Sequence, residues 1–176
     1  MACDATLGRL EACKENAGGL KALYFVNYDG TLLSGATVSG QEITALAGAT
    51  QTYKYELKSD TNTYDEVNEN SRDKGTSFWA QTGTIALKVQ DKAAQAELKI
   101  ISYGRPHVIV EDYNGNFRLA GAEHGCEVAV STAIGGAMGD FTGYNITFEG
   151  KERSMAHFIL SSIMDNASHF VVNEGT

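Results

Sequence analysis

HVIVEDYNGNFRLA, residues 107–120, reads as two strands and the turn between them. Residues 107–113 and 116–120 are rich in β-branched and aromatic side chains. Asn114-Gly115 between them is the strongest short hairpin signal in the chain, because both residues tolerate the positive φ of a type I′ turn. A structural turn at Asn114 and Gly115 therefore anchors a β-rich reading, and the flanking sequence extends it in both directions.

Downstream, residues 144–149 alternate Tyr144, Ile146 and Phe148 with Asn145, Thr147 and Glu149, as a half-buried strand requires. Upstream, Asp91 is placed to cap a helix over residues 92–103. Ala94, Leu98 and Ile101 fall at i, i+4 and i+7, Gly104 supplies the stop and Pro106 follows. Residues 82–89 alternate again, with Ile85, Leu87 and Val89 inward. So do residues 51–58, with Tyr53, Tyr55 and Leu57 toward a core and Thr52, Lys54, Glu56 and Lys58 toward water. These two strands are expected to pair. Residues 20–28, LKALYFVNY, form a further strand turned by Asp29-Gly30, and a weak strand is expected over 41–46.

Between the paired strands lies SDTNTYDEVNENSRDKGTS, residues 59–77, polar and acidic, with Tyr64 and Val67 as its main apolar side chains. So little apolar area offsets little backbone entropy, and a long mobile loop is expected. Residues 153–165 read equally as a short helix or an extended arm. Strands, one helix, then more strands give a mainly β fold: a β-sandwich or barrel with one flanking α-helix and a long hairpin loop. One domain of residues 1–176 is expected, with an N-terminal arm over about 1–18 and a C-terminal arm over about 153–176.

Composition narrows the function. The formal net charge is −8, which opposes phosphate binding through clustered Lys and Arg. Cys3, Cys13 and Cys126 are an odd number without a CxxC pair, which fits a reducing compartment. No basic and apolar leader opens the chain and no stretch is long enough to span a membrane, so a cytoplasmic site of synthesis and no membrane partner are expected.

No catalytic constellation emerges. Glu123-His124-Gly125-Cys126 is the one compact set of ligand types, but it lacks a second cluster to complete four ligands. The glycines at 135–139 lack the Gly-Lys-Ser/Thr ending of a phosphate loop, and Glu111-Asp112 point to opposite faces of a strand. His107, His157 and His169 stand singly. No enzyme, metal or cofactor is expected.

HVIVEDYNGNFRLAGAEHGCEVA at 107–129 and GGAMGDFTGYNITFEGKE at 135–152 together resemble the C-terminal half of bacteriophage tail tube proteins. In that family a strand ends in acidic residues and turns through Asn-Gly, here Asp112 to Gly115. Glycines mark the next turns, here Gly121 and Gly125, and a strand of the form Gly-Tyr-x-x-Thr-Phe-x-Gly follows, here Gly143 to Gly150. The opening strand at 19–28 and the helix fall in the expected order.

The resemblance, shared with type VI secretion tubes, implies a virion structural protein assembled in the host cytoplasm. Homohexameric rings would stack into a tube, join other tail and neck proteins, and pass genomic DNA through the lumen without specific binding. It places the inter-ring contact in the long loop, at Asp60, Tyr64, Asp65, Glu66, Val67, Glu69, Arg72, Asp73 and Lys74. It places the lumen on the polar strand faces, at Lys54, Glu56, Lys58, Thr84 and Lys88, although lumens in the family tend to be acidic and three of these five are lysines. Two other classes remain open: another virion part, such as a head-to-tail connector or minor capsid protein, and a β-sandwich carbohydrate-binding module using Trp79 and the tyrosines as a platform.

Overall fold

Strand β1 (Leu20–Val26) is buried on both faces, and the molecule is arranged around it. Leu23 and Phe25 point to one side and Ala22, Tyr24 and Val26 to the other. An irregularity between Leu20 and Ala22 turns Leu20 to the side of Leu23. The structure, a computed structural model, describes residues 7–11, 13–58 and 60–175.

Twelve strands and two helices are present among the described residues. β1 lies in an eight-stranded sheet with β2 (Thr37–Ser39), β3 (Glu42–Ala45), β4 (Thr50–Glu56), β7 (His107–Asp112), β8 (Phe117–Ala120), β11 (His157–Ile159) and β12 (Phe170–Glu174), in the order β12-β4-β1-β7-β8-β11-β3-β2. A second sheet has four strands, β5 (Thr63–Ser71), β6 (Thr76–Lys88), β10 (Thr142–Glu152) and β9 (Cys126–Ile134), in that order and antiparallel throughout. The mainly β fold with a flanking helix, expected from the alternation, is what is found.

The core between the sheets joins Leu23, Phe25, Leu57, Val108 and Val110 to Ile85, Val128, Tyr144, Ile146 and Phe148. Helix α1 (Lys92–Tyr103) closes one side of it with buried Leu98, flanked by Ala94 and Ile101. Asp91 caps that helix as expected, accepting from the N–H groups of Ala93 and Ala94 at 2.9 and 3.0 Å. A second core, on the other face of the large sheet, gathers Tyr24, Val26, Ile43, Ile109 and Leu119 with Ile163 and Met164 of the short helix α2 (Ser161–Met164). This second layer explains why Thr52, expected to face water, is fully buried, with its hydroxyl donating to the Val171 carbonyl at 3.2 Å.

Four expectations are corrected. Residues 51–58 and 82–89 do not pair: β4 lies between β1 and β12, and β6 lies between β5 and β10. Residues 60–77 are not a loop, because β5 takes most of them and pairs with β6 from Thr63↔Thr84 to Ser71↔Thr76. The stretch from 153 is not an arm: β11 sits between β8 and β3, and β12 runs parallel to β4 at a sheet edge. Val89, expected in the core, ends β6 at φ 68° and is exposed. The N-terminal arm expected over about 1–18 falls partly within the described residues. Residues 7–11 and 13–18 are exposed and outside any strand or helix, while residues 1–6 lie outside the described residues.

The turn at Asn114-Gly115 is present but of another type. Gly115 has φ +80° whereas Asn114 does not have positive φ, and the Gly115 N–H donates to the Asp112 carbonyl at 3.2 Å. This is a type I turn followed by a glycine bulge rather than a type I′ turn. Asp112 takes over the role given to Asn114, its side chain accepting from the Asn114 and Asn116 N–H groups. Asn114 instead holds the base of the arm, donating to the Ala17 carbonyl at 2.7 Å and accepting from its N–H at 2.9 Å.

Candidate assembly surface

The four-stranded sheet carries the features that bear on function. Its outermost strands, β5 and β9, each pair on one side only, so each presents a row of N–H and C=O groups with no neighbouring strand, a template for another chain; on β9 the row is open beyond Cys126, whose N–H is met by the Pro106 carbonyl at 2.8 Å. Four antiparallel strands also leave the two edges running in opposite directions. When the β9 edge of one copy meets the β5 edge of another in the same orientation, the junction is therefore antiparallel, and the alternation continues without a break.

The outer face of this sheet is small and polar. Register places Thr63, Thr84, Thr147 and Ala129 in one cross-strand row, and Asp65, Thr82, Glu149 and Glu127 in the next. The second row carries three carboxylates, with Glu149 and Glu127 direct partners, a like-charge pairing that works against the sheet. Lys151, two residues on, pairs with Glu149 at 3.2 Å. The row remains acidic.

The residues expected at an inter-ring loop are divided by the pleat of β5. Tyr64 and Glu66 point inward. The Tyr64 ring stacks on Phe148 with centroids 6.1 Å apart, and burial, followed by the Glu66 carboxylate, holds its hydroxyl well above the usual phenol range. Glu66 is buried and ties the two sheets together: it accepts from the Arg118 guanidinium of β8 at 3.2 Å and from the Ala156 N–H at 2.9 Å. Both residues hold the subunit together and are not docking groups. Asp65, Val67 and Glu69 face outward, Asp60 lies in the turn before β5, and Arg72, Asp73 and Lys74 form the exposed β5–β6 turn. That hairpin overhangs the sheet. β10 follows β6 only as far as Glu152↔Trp79, whereas β5 and β6 continue to Ser71↔Thr76, a projection of about 10 Å plus the turn.

The residues expected on one lumen face do not share one. Lys54 and Glu56 belong to β4 of the large sheet, where Lys54 pairs with Glu174 at 2.6 Å and Glu56 with Lys58 at 3.0 Å. Thr84 lies on the outer face of the small sheet, and Lys88 closes its end by donating to the Lys58 carbonyl. What sequence reading missed on this face is β9, CEVAVSTAI, with Glu127. Its inward residues alternate as Cys126, Val128 and Val130, a signal that was present but short of large side chains.

The ligand-like cluster forms in part. Glu123, His124 and Glu152 bring ligand atoms within 4.8 Å of one another, without Cys126. Buried Glu152 is already committed: one oxygen accepts from the Glu123 and His124 N–H groups at 3.0 and 2.8 Å, and the other meets His124 Nδ1 at 2.9 Å. This is the geometry of a capped turn. Cys126 sits in the main core, where burial and then the Glu152 and Glu127 charges push its thiol up to about 12. His107 is likewise structural, its Nδ1 bonding the Gly121 carbonyl at 2.6 Å and its Nε2 accepting from the Asp29 N–H at 3.0 Å. Trp79 is half-buried on β6, and exposed Tyr28 and Tyr53 line a separate groove that does not include it. No helix is long and apolar enough to cross a membrane among the described residues.

Comparison with family models, with curated proteins and with solved structures finds no match.

Proposed function

We propose that the protein is a virion structural subunit, a tail tube protein whose four-stranded sheet joins edge to edge into a hexameric ring, and whose rings stack into a DNA channel. The observation that carries this reading is the pair of open, oppositely directed edges, β5 and β9, on one small sheet. Closed rotational symmetry removes both edges at once, where a free monomer would leave them to uncontrolled aggregation.

Size supports six copies. Four strands per copy give about 24 strands at about 4.8 Å, a circumference of about 115 Å and a backbone diameter of about 37 Å. Side chains on both walls reduce that to about 25 Å, wide enough to pass a DNA duplex, whereas four copies would leave about 12 Å. The outer face supports the sign of the lumen. Threonine, serine and alanine keep it smooth, and the row of Asp65, Glu127 and Glu149 repels phosphate rather than binding it. The sequence alone leaves the sign of the lumen charge open, and in the ring reading this row makes it acidic.

The test is light scattering on the purified chain followed by negative-stain imaging. Six-membered rings, or tubes built from them, are the expected result. A compact monomer at high concentration with no ring in any image rejects the proposal. A proline scan of edge strand β9 adds specificity. At the neighbouring positions Ser131 and Thr132, one N–H faces β10 and the other faces outward, so one of Ser131→Pro and Thr132→Pro should fold normally and fail to close rings.

A further inference from the structure

An apolar groove of about 700 Å³ lies between α1 and the β4–β12 edge, with Phe25, Tyr53, Tyr55, Ile100 and Ile101 among its lining side chains. Ile100 is 64% exposed within it. Glu97 stands on its wall, close enough to Tyr55 to help raise that hydroxyl, after burial, to about 12, and makes no ion pair among the described residues. The groove is on the β9 side of the molecule, because α1 packs on β9.

The N-terminal arm leaves from the other side. Its base, residues 16–20, lines a cavity together with residues 62–66 at the start of β5, and Asn114 fixes it at Ala17. Beyond that anchor the arm carries Leu7 and Leu10, 92% and 91% exposed, with Arg9 between them. Two leucines held fully in water on one short segment are an unfavourable arrangement for a finished assembly.

We infer that the arm of each copy seats Leu7 and Leu10 in the α1 groove of the neighbouring copy in the same ring. The inference rests on the ring reading above. When β5 of one copy meets β9 of the next, the arm base of the first is brought to the groove side of the second. An extended arm reaches about 24 Å from Ala17 to Leu10 and about 34 Å to Leu7, against a width of about 14 Å for the four-stranded sheet. The arm's own groove lies on the far side of its own sandwich. Arg9, set between the two leucines, meets the unpaired Glu97 and fixes the direction of entry, as charges at the margin of a contact do. The arm thereby straps the sheet junction from outside the lumen, and one contact reinforces the other by raising its effective concentration.

The experiment uses the full chain with Cys3 and Cys13 changed to Ser and the buried Cys126 kept. Leu10→Cys in one preparation and Ile100→Cys in another are mixed, oxidised and run without reductant, while imaging scores rings in the same samples. Rings together with chain-to-chain linked dimers are expected. The double variant in one chain should give a ladder of linked copies. Independently, Leu7→Ser with Leu10→Ser, or Ile100→Asp on the exposed helix face, should weaken ring formation at least about tenfold while circular dichroism stays unchanged. Rings without chain-to-chain links, or with links only inside one chain, overturn the arm contact and leave the ring reading standing. Unaltered ring affinity in these serine and aspartate variants does the same. Absence of rings in the unmodified chain at any concentration overturns both.

Discussion

The ring of Phe148 occupies the space above Gly83, its direct cross-strand partner. A Cβ built on Gly83 would stand well inside van der Waals contact with two ring carbons. Glycine is required here by the close approach rather than by its backbone angles. Gly83→Ala is expected to cost about 1–3 kcal/mol, since the ring cannot move without disturbing Tyr64, which stacks on it at the edge of the core. A urea unfolding midpoint equal to the parent's would show that the ring has room to shift.

Glu66 is the polar bolt between the sheets. Glu66→Ala strands the Ala156 N–H and removes the carboxylate facing Arg118, and is expected to cost about 2–4 kcal/mol. Glu66→Gln keeps an acceptor for Ala156 and should cost about half as much. Urea titrations of both variants give the comparison, and a cycle with Arg118→Met isolates the pair itself.

Alkaline pH should destabilise the subunit, and the sign follows from which form is neutral. Burial, chiefly, raises Cys126 from 9.0 to about 12 and Tyr55 from 10.0 to about 12. Between those values the unfolded chain releases protons that the folded chain keeps, so stability is whole below about pH 9 and falls as pH rises toward 12. Cys126 alone should account for about 2 kcal/mol by pH 10.5. Urea midpoints at pH 8 and 10.5, for the parent and Cys126→Ala, check this. At pH 8 iodoacetamide should label exposed Cys13 in the folded protein and leave Cys126 untouched.

Gly115 tests the turn in a different way from Gly83, because nothing lies within 4 Å of a Cβ there and only its φ of +80° resists substitution. Gly115→Val should cost about 1–3 kcal/mol and Gly115→Asn much less, asparagine being tolerant of that region. Thermal melts that rank the two the other way round would reject the turn assignment.

How far the sequence could be read depended on where each strand's large side chains lie. β10, with Tyr144, Ile146 and Phe148, and α1, with Leu98, announced themselves because one face carries bulk and the other does not. β5 reads as loop in the sequence because its inward face is Tyr64, Glu66 and Asn68. A buried carboxylate looks like a surface residue until Arg118 and the Ala156 N–H, 52 and 90 residues away, are in place. β12 reads as an arm in the sequence because it is short and parallel, and its partner β4 lies more than a hundred residues earlier. The open edges β5 and β9 had no local signature, since a strand becomes an edge only through what fails to pair with it.

The β5–β6 overhang, and not the whole of 59–77, is the segment whose removal tests ring stacking. The family resemblance places the docking element in the loop expected over 59–77, but deleting much of that stretch would remove Tyr64 and Glu66 and so unseat the core and the bolt to Arg118. The part without support from β10 begins after Asn68 and ends before Trp79. An isolated two-stranded ribbon is marginal in water, and this one ends in Arg72, Asp73 and Lys74, all exposed. Contact with a second ring would bury part of it and hold it still, weakly for each copy and strongly when all tips of a ring engage together. Replacing residues 69–78 by Asn-Gly leaves Asn68 and Trp79 as the last pair and should preserve the subunit fold within about 1 kcal/mol, because the removed pairs touch neither β10 nor either core. Rings should still close and tubes should not elongate. With the full hairpin, tube length should fall as salt is raised from about 0.05 to 0.5 M, since exposed charges are screened over shorter distances. Tubes of normal length from the shortened protein would remove the hairpin from ring stacking and leave the edges of the sheet as the assembly surface.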